Sequence, residues 1–248
     1  MKDKYELSKA ASELRVHLGE DEYSPVDIFR LAHTIDPLTL VFYPMGERIS
    51  GMCLKGAEDV LIAVNSSMTY GRQRFSVAHE FYHYFYDDMA TVICAQDIGG
   101  AGDVERDANV FASFFLAPPA ALSLAVKKNK TGKAALDIAA VIKLEQLFGM
   151  SRQAILIRLI DEGELTYQDT TIMRSQVISQ ALALGYDDAL YRPITEEKAK
   201  MTYGRYIKRA EDLLERGLIS NGKFEELLLD AFRADLVYGS DEGGELID

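Results

Sequence analysis

Only two cysteines, Cys53 and Cys94, occur in the 248 residues, and only four histidines. Two thiols are too few for a disulfide-built scaffold. They read as packing residues of a reducing compartment, with a functional pair as the less favoured alternative. No stretch approaches the roughly 18 apolar residues that cross a bilayer. The opening MKDKYELSKAASELRVHLGEDE has no apolar run between a basic start and a small-residue cleavage site, which argues against a signal peptide and for the cytoplasm. Basic charge is in deficit: 27 Lys and Arg stand against 39 Asp and Glu, a formal charge of -12. A surface of that sign repels phosphate backbones and anionic lipid, so nucleic acid and membranes are poor default partners. What is present is apolar side chain, 48% of the residues, enough to bury at least one full core and against disorder.

Helical spacing of Leu7, Ala10, Ala11, Leu14 and His17 predicts a helix over 5–17, and a second short one is expected from Ser24-Pro25 with Val26, Ile28, Phe29, Leu31 and Ala32. Three extended runs follow, TLVFY (39–43), ISGMCL (49–54) and DVLIAVN (59–65). The separators MGER and KGAE have turn character, which reads as a small antiparallel meander. A helix is expected over 71–87, with Phe75, Ala78, Tyr82 and Phe85 as its apolar stripe. A loop with Gly99, Gly100 and Gly102 then leads to a helix over 103–116, stopped by Pro118 and Pro119. The remainder reads as helices at 134–148, 151–162, 174–184, 202–215 and 221–232. The segment YRPITEEKAKM resembles a linker, and the acidic ending GSDEGGELID should fray. The fold class expected is α+β: mainly helical, a three-stranded antiparallel sheet packed on the 71–87 helix, and a helical C-terminal region. The corresponding division is 1–125, 126–168 and 169–248.

Within the 71–87 helix, RFSVAHEFYHYF contains His79-Glu80-x-x-His83. Four residues at about 100° each bring His79 and His83 to within about 40° on one face, where both imidazoles reach an ion at about 2.0 to 2.1 Å. Glu80 sits about 60° from His83, able to touch a water beside the ion without binding the ion. A carboxylate there is a candidate general base. Catalytic zinc usually keeps three protein ligands and an open position, so a third donor is needed. His17 and His33 lie in the opening helices, and neither cysteine falls on the two helices that matter. Glu105, twenty-two residues after His83, lies in VERDANVFASFFLAP, where it shares a face with Ala108, Asn109 and Ala112. Glu105 is therefore expected as the third ligand and Asn109 as a partner that orients a ligand. Asp103 and Asp107 are the fallbacks. Two imidazoles and a carboxylate suit one zinc ion best, with manganese or iron as alternatives.

The segments RQRFSVAHEFYHYF and ERDANVFASFFLAP together resemble the ImmA/IrrE family of metallo-endopeptidases, which joins an HExxH helix to a later E-x-x-A-N-x-F-A helix ending in proline; the Ala63-Val64-Asn65 run is also similar. The likeness runs from about Pro25 to Pro118, more weakly over Leu136 to Leu165, and ends near Asp169. It implies His79, His83 and Glu105 as ligands, Glu80 as catalytic acid/base, and a protein substrate. Members are associated with cutting helix-turn-helix repressors, often encoded beside them on mobile elements or in stress-response loci. Phe81, Tyr82 and Tyr84 stand where many members carry smaller residues, which predicts a narrower cleft.

Two other classes compete with a zinc endopeptidase. A metal-bearing binding module, toxin-antitoxin-like or sensory, would account for the long helical C-terminal part that the chemistry does not need. A DNA-binding regulator would use 136–159, where FGMS and Ser151 imitate a helix-turn-helix with Arg152 and Arg158 as its basic side chains. The bland alternative makes His79 and His83 core histidines and Glu105 an acid favoured at a helix N-terminus. Tyr70, Tyr86 and Asn65 are the candidates to stabilise a developing oxyanion.

Overall fold

The computed structural model describes residues 2–89, 91–95, 102–130 and 136–239. The expected glycines 99 and 100, and the expected fraying over 240–248, lie outside the described residues. Two helices open the chain. In α1 (Lys4–His17), Asp3 and Glu6 form a capping box and Leu7, Ala11 and Leu14 are buried. Helix α2 (Ile28–Thr34) starts later than Ser24-Pro25, because Asp27 is the cap and accepts from Arg30 N.

The strands are β1 (Leu38–Tyr43), β2 (Ile49–Lys55), β3 (Val60–Asn65), β4 (Thr91–Ala95) and β5 (Met201–Gly204). They form one five-stranded sheet in the order β4-β2-β3-β1-β5. The α+β class is borne out, but the sheet is neither three-stranded nor a meander. Strand β1 runs parallel to β3, with Val41 opposite Ala63, and β3 sits between β1 and β2. KGAE does close a hairpin, Gly56 N donating to Asp59 O, whereas MGER carries the chain past β3. The reason is visible in β3 itself: Val60, Ile62, Ala63 and Val64 are all buried, the signature of a strand with neighbours on both sides. Strand β5 replaces what helical spacing placed at 202. At Gly204, φ is 86° and a Cβ would lie 2.4 Å from Leu38 O, so a glycine is required where the strand turns directly into a helix.

The HExxH helix is α3 (Tyr70–Tyr86), packed on β2 and β3 on one side and on α4 (Asp103–Leu116) on the other. From Ser76 to His83 every α3 residue is buried. Phe81, Phe111 and Phe115 interlock in the main core, which runs from Leu7 to Met173. Pro118 and Pro119 do stop α4, but Pro119 also starts α5 (Pro119–Asn129), bent 60° from it, since proline is tolerated in a first helical turn. Helices α6 (Ile138–Phe148), α7 (Arg152–Asp161), α8 (Tyr167–Met173) and α9 (Val177–Ala183) follow. α8 is an element the sequence pattern did not announce. After two 3-10 turns, β5 adds to the sheet edge and leads into α10 (Arg205–Glu215), α11 (Asn221–Asp230) and α12 (Ala234–Tyr238). Arg205 pairs with Asp36 at 2.8 Å and Asp59 at 3.0 Å, holding α10 against the sheet. Among the described residues no single helix is long and apolar enough to cross a membrane.

The helix-turn-helix of α6 and α7 does not present its basic side chains. Arg152 is buried on Glu145 and donates to Met173 O, and Tyr191 closes the far side of Glu145 at 2.7 Å. Arg158 is buried over the Phe114 ring, 3.9 Å from its centroid, and pairs with Glu162. Both guanidiniums are structural, and neither is available to a phosphate backbone.

Candidate metal centre

Helix α3 carries His79 and His83 one turn apart, and α4 lies beside it with Glu105 in its first turn. His79 Nε2 and His83 Nε2 are 3.1 Å apart; Glu105 Oε2 lies 3.3 Å from the first and its Oε1 3.4 Å from the second. An ion with four tetrahedral bonds of about 2.0 to 2.1 Å separates its donors by about 3.3 Å. The three side chains expected from spacing are thus brought to the separations such an ion requires. Ala108 and Ala112, fully buried between the helices, allow that approach.

The outer nitrogens settle which way the rings present their lone pairs. His79 Nδ1 faces Asn109 Oδ1 at 2.9 Å, as expected for Asn109, and His83 Nδ1 faces Asp87 Oδ2 at 2.9 Å. With Nδ1–H donating to these oxygens, the Nε2 atoms are the ones left to ligate an ion; in its absence an Nε2–H donates to Glu105. Three electron-rich donors converging in a buried place call for a cation. In the metal-free protein, hydrogen bonds from His79 and then His83 pull Glu105 down to about 2, against its burial. Burial pulls His83 down, but the hydrogen bonds to Glu105 and Asp87 outweigh it and leave it raised.

Glu80 is completely buried, and its Oε1 finds no hydrogen-bond partner among the described residues. Burial pushes this carboxyl above the ordinary range, against the pull of His79 and His83. An orphaned carboxylate oxygen in a dry place is suited to hold a water or a proton. Gly51 on β2 makes room for it: a Cβ there would lie 2.7 Å from Glu80 Oε1 and 3.0 Å from Ala63 O.

Two neighbours escaped the reading of spacing. Asp87 is one turn beyond His83, and that i, i+4 relation was the available signal. Cys94, set aside because it lies on neither helix, is brought in by β4: its Sγ, the two Nε2 atoms and a Glu105 oxygen all lie within 4.8 Å of one another. Among the described residues these four form the one group able to hold a metal ion. No periodicity pointed to Cys94, since the strand that carries it had not been recognised.

Other expected participants are elsewhere. Asp103 is exposed and pairs with Arg106, and buried Asp107 accepts from Lys2 N at 2.9 Å. His33 stacks on Tyr203, 4.7 Å between ring centroids. Asn65 is spent on Met45 N, Ser67 N and Ile49 O, and Tyr86 Oη donates to Ala10 O. Tyr70 packs on Phe29. None of the three candidates for an oxyanion contact faces the cluster. Phe81 and Tyr82 pack into the core against Phe115 and Phe111, so they do not narrow a cleft as expected.

Fold and cluster together bring two histidines of one helix and a glutamate of its neighbour to one place, as a metal ion would need. Residues 46–160 match the profile of peptidase family M78, the IrrE N-terminal-like domain. The match starts between β1 and β2, later than the likeness read from Pro25, and reaches into α7. The chain is also similar to the radiation response metalloprotease IrrE of Deinococcus deserti, 31% identical over 119 residues, 46% of this chain and 41% of that protein. The chain thus spans less than half the length of this curated relative.

Proposed function

We propose that the protein is a zinc-dependent endopeptidase that performs limited proteolysis of a protein partner, a helix-turn-helix transcriptional repressor, in the cytoplasm. The observation that carries this reading is the convergence of His79, His83 and Glu105, with contacts of 3.1 to 3.4 Å, beside a buried Glu80 whose Oε1 has no partner among the described residues. His79, His83 and Glu105 would hold one ion, which supplies Lewis-acid polarisation of the scissile carbonyl and makes a neighbouring water more acidic. Asn109 and Asp87 hold the imidazoles in the tautomer that turns Nε2 inward. Glu80 takes the proton of the attacking water and returns it to the leaving amine; exclusion of solvent raises its carboxyl above the ordinary carboxylate range, against the pull of His79 and His83. Residues 1–125 would form the unit that does this chemistry, with 126–168 and 169–248 buttressing it.

The test needs two measurements. Elemental analysis of protein purified without added metal is expected to give one zinc per chain, lost in His79→Ala. Incubation with a helix-turn-helix regulator encoded beside it is expected to yield cleavage that Glu80→Gln abolishes while zinc stays bound. Cleavage undiminished in that variant ends the role of Glu80. A regulator that binds tightly and is cut neither by the zinc-loaded protein nor by its Cys94→Ala variant favours a binding module instead.

A further inference from the structure

Cys94 is the one donor of the cluster that the chemistry above leaves unused. It lies on β4, the edge strand, hydrogen-bonded to β2 alone and opposite Gly51 next to a register irregularity between Ile49 and Gly51. The residue is fully buried, and its Sγ lies 3.5 Å from Glu80 Oε2. A tetrahedral ion bonded at about 2.3 Å to sulfur and about 2.1 Å to nitrogen separates these donors by about 3.6 Å. With every pair of donor atoms already within 4.8 Å, a shift of the sulfur of about 1 Å closes the fourth corner.

We propose that Cys94 Sγ is a fourth, displaceable donor of the metal centre, holding the folded chain as a latent peptidase with sulfur where the attacking water has to stand. The inference rests on the peptidase reading and adds its regulation. In the closed arrangement the Cys94 S–H bond is broken and a sulfur–metal bond made; the proton goes to the Glu80 carboxylate that the thiol already touches. Opening reverses this, water taking the corner and the thiol regaining its proton. Only an edge strand paired on one side has to move, so the helices that carry the other three donors stay as they are. A thiolate in the set also favours zinc or cobalt over manganese, which prefers oxygen ligands.

Metal-free protein loaded with cobalt(II) tests this directly. Sulfur coordination appears as an intense near-ultraviolet charge-transfer band, while the visible ligand-field bands report the whole centre. The wild type is expected to show the charge-transfer band. Cys94→Ser and Cys94→Ala lose it and keep the visible bands, and Cys53→Ala keeps both. Acetohydroxamate, which competes for an open position, is expected to bind cobalt-loaded Cys94→Ala at least tenfold more tightly than the wild type. Visible bands without a charge-transfer band in the wild type overturn the inference and leave the centre standing, whatever the variants do. Equal hydroxamate affinity in wild type and Cys94→Ala overturns it too. A wild type that takes up no cobalt overturns the metal centre itself.

Discussion

Gly51→Ala disturbs the proposed base without touching any metal donor. The new methyl would sit 2.7 Å from Glu80 Oε1, where an ordinary contact begins at 3.4 Å, so the carboxylate has to retreat by about 0.7 Å. The strand cannot yield instead, because the same methyl is 3.0 Å from the backbone oxygen of Ala63 on the neighbouring strand. Overpacking of this kind costs about 1 to 3 kcal/mol of stability, and a catalytic group displaced by about 1 Å loses on the order of 100-fold in rate. The expected result is zinc content equal to the wild type, a urea midpoint lowered by an amount in that range, and cleavage of the regulator reduced between tenfold and 100-fold. Gly51→Ala with full activity and full zinc would refute the account of Glu80's position, since the nearest side-chain atom to the methyl is Glu80 Oε1.

Three further outcomes follow from named contacts. Asp87→Asn replaces the anion that fixes the His83 ring, and zinc affinity measured by competition with a chromophoric chelator is expected to fall about 10- to 100-fold; an unchanged affinity rejects the orienting role. Glu145→Ala leaves the Arg152 guanidinium without its carboxylate in a place where both are buried, with Met173 O and Gln180 Oε1 as its remaining acceptors, at an expected cost of about 3 to 5 kcal/mol in urea unfolding. A loss below about 1 kcal/mol would mean that Arg152 finds other partners. For the metal-free protein, Glu105 titrates at about 2 instead of 4.5. A carboxyl depressed in the folded state stabilises above its ordinary value, and that contribution vanishes as the pH falls through about 2. The difference in urea midpoint between metal-free wild type and Glu105→Gln should therefore shrink from pH 5 downward; a difference that grows on acidification contradicts the assignment.

Everything local was legible in the residues. A spacing of four puts His79 and His83 on one face whatever surrounds the helix, and the run from Glu105 through Asn109 fixes which α4 residues share a face. Both helices stand within a residue of where their periodicity ends. The sheet order was not legible, because alternation and apolar runs mark a strand without naming its neighbours. A short strand such as β4 or β5 carries too few residues to declare itself against a helical background. For the same reason Cys94 was misjudged: it enters the cluster through strand pairing with a segment forty residues away, not through any spacing along its own element.

The chain's own order of residues determined two helices, one with a pair of imidazoles on one face and the other with a carboxylate, since helical geometry repeats every 3.6 residues and needs no knowledge of the rest. Tertiary packing alone decided the surroundings: the parallel pairing of β1 with β3, the glycine that admits Glu80, the sulfur beside the fourth corner and the burial of Arg152 and Arg158. Those depend on which distant segments come into contact, and contact between distant segments is settled by the whole core at once.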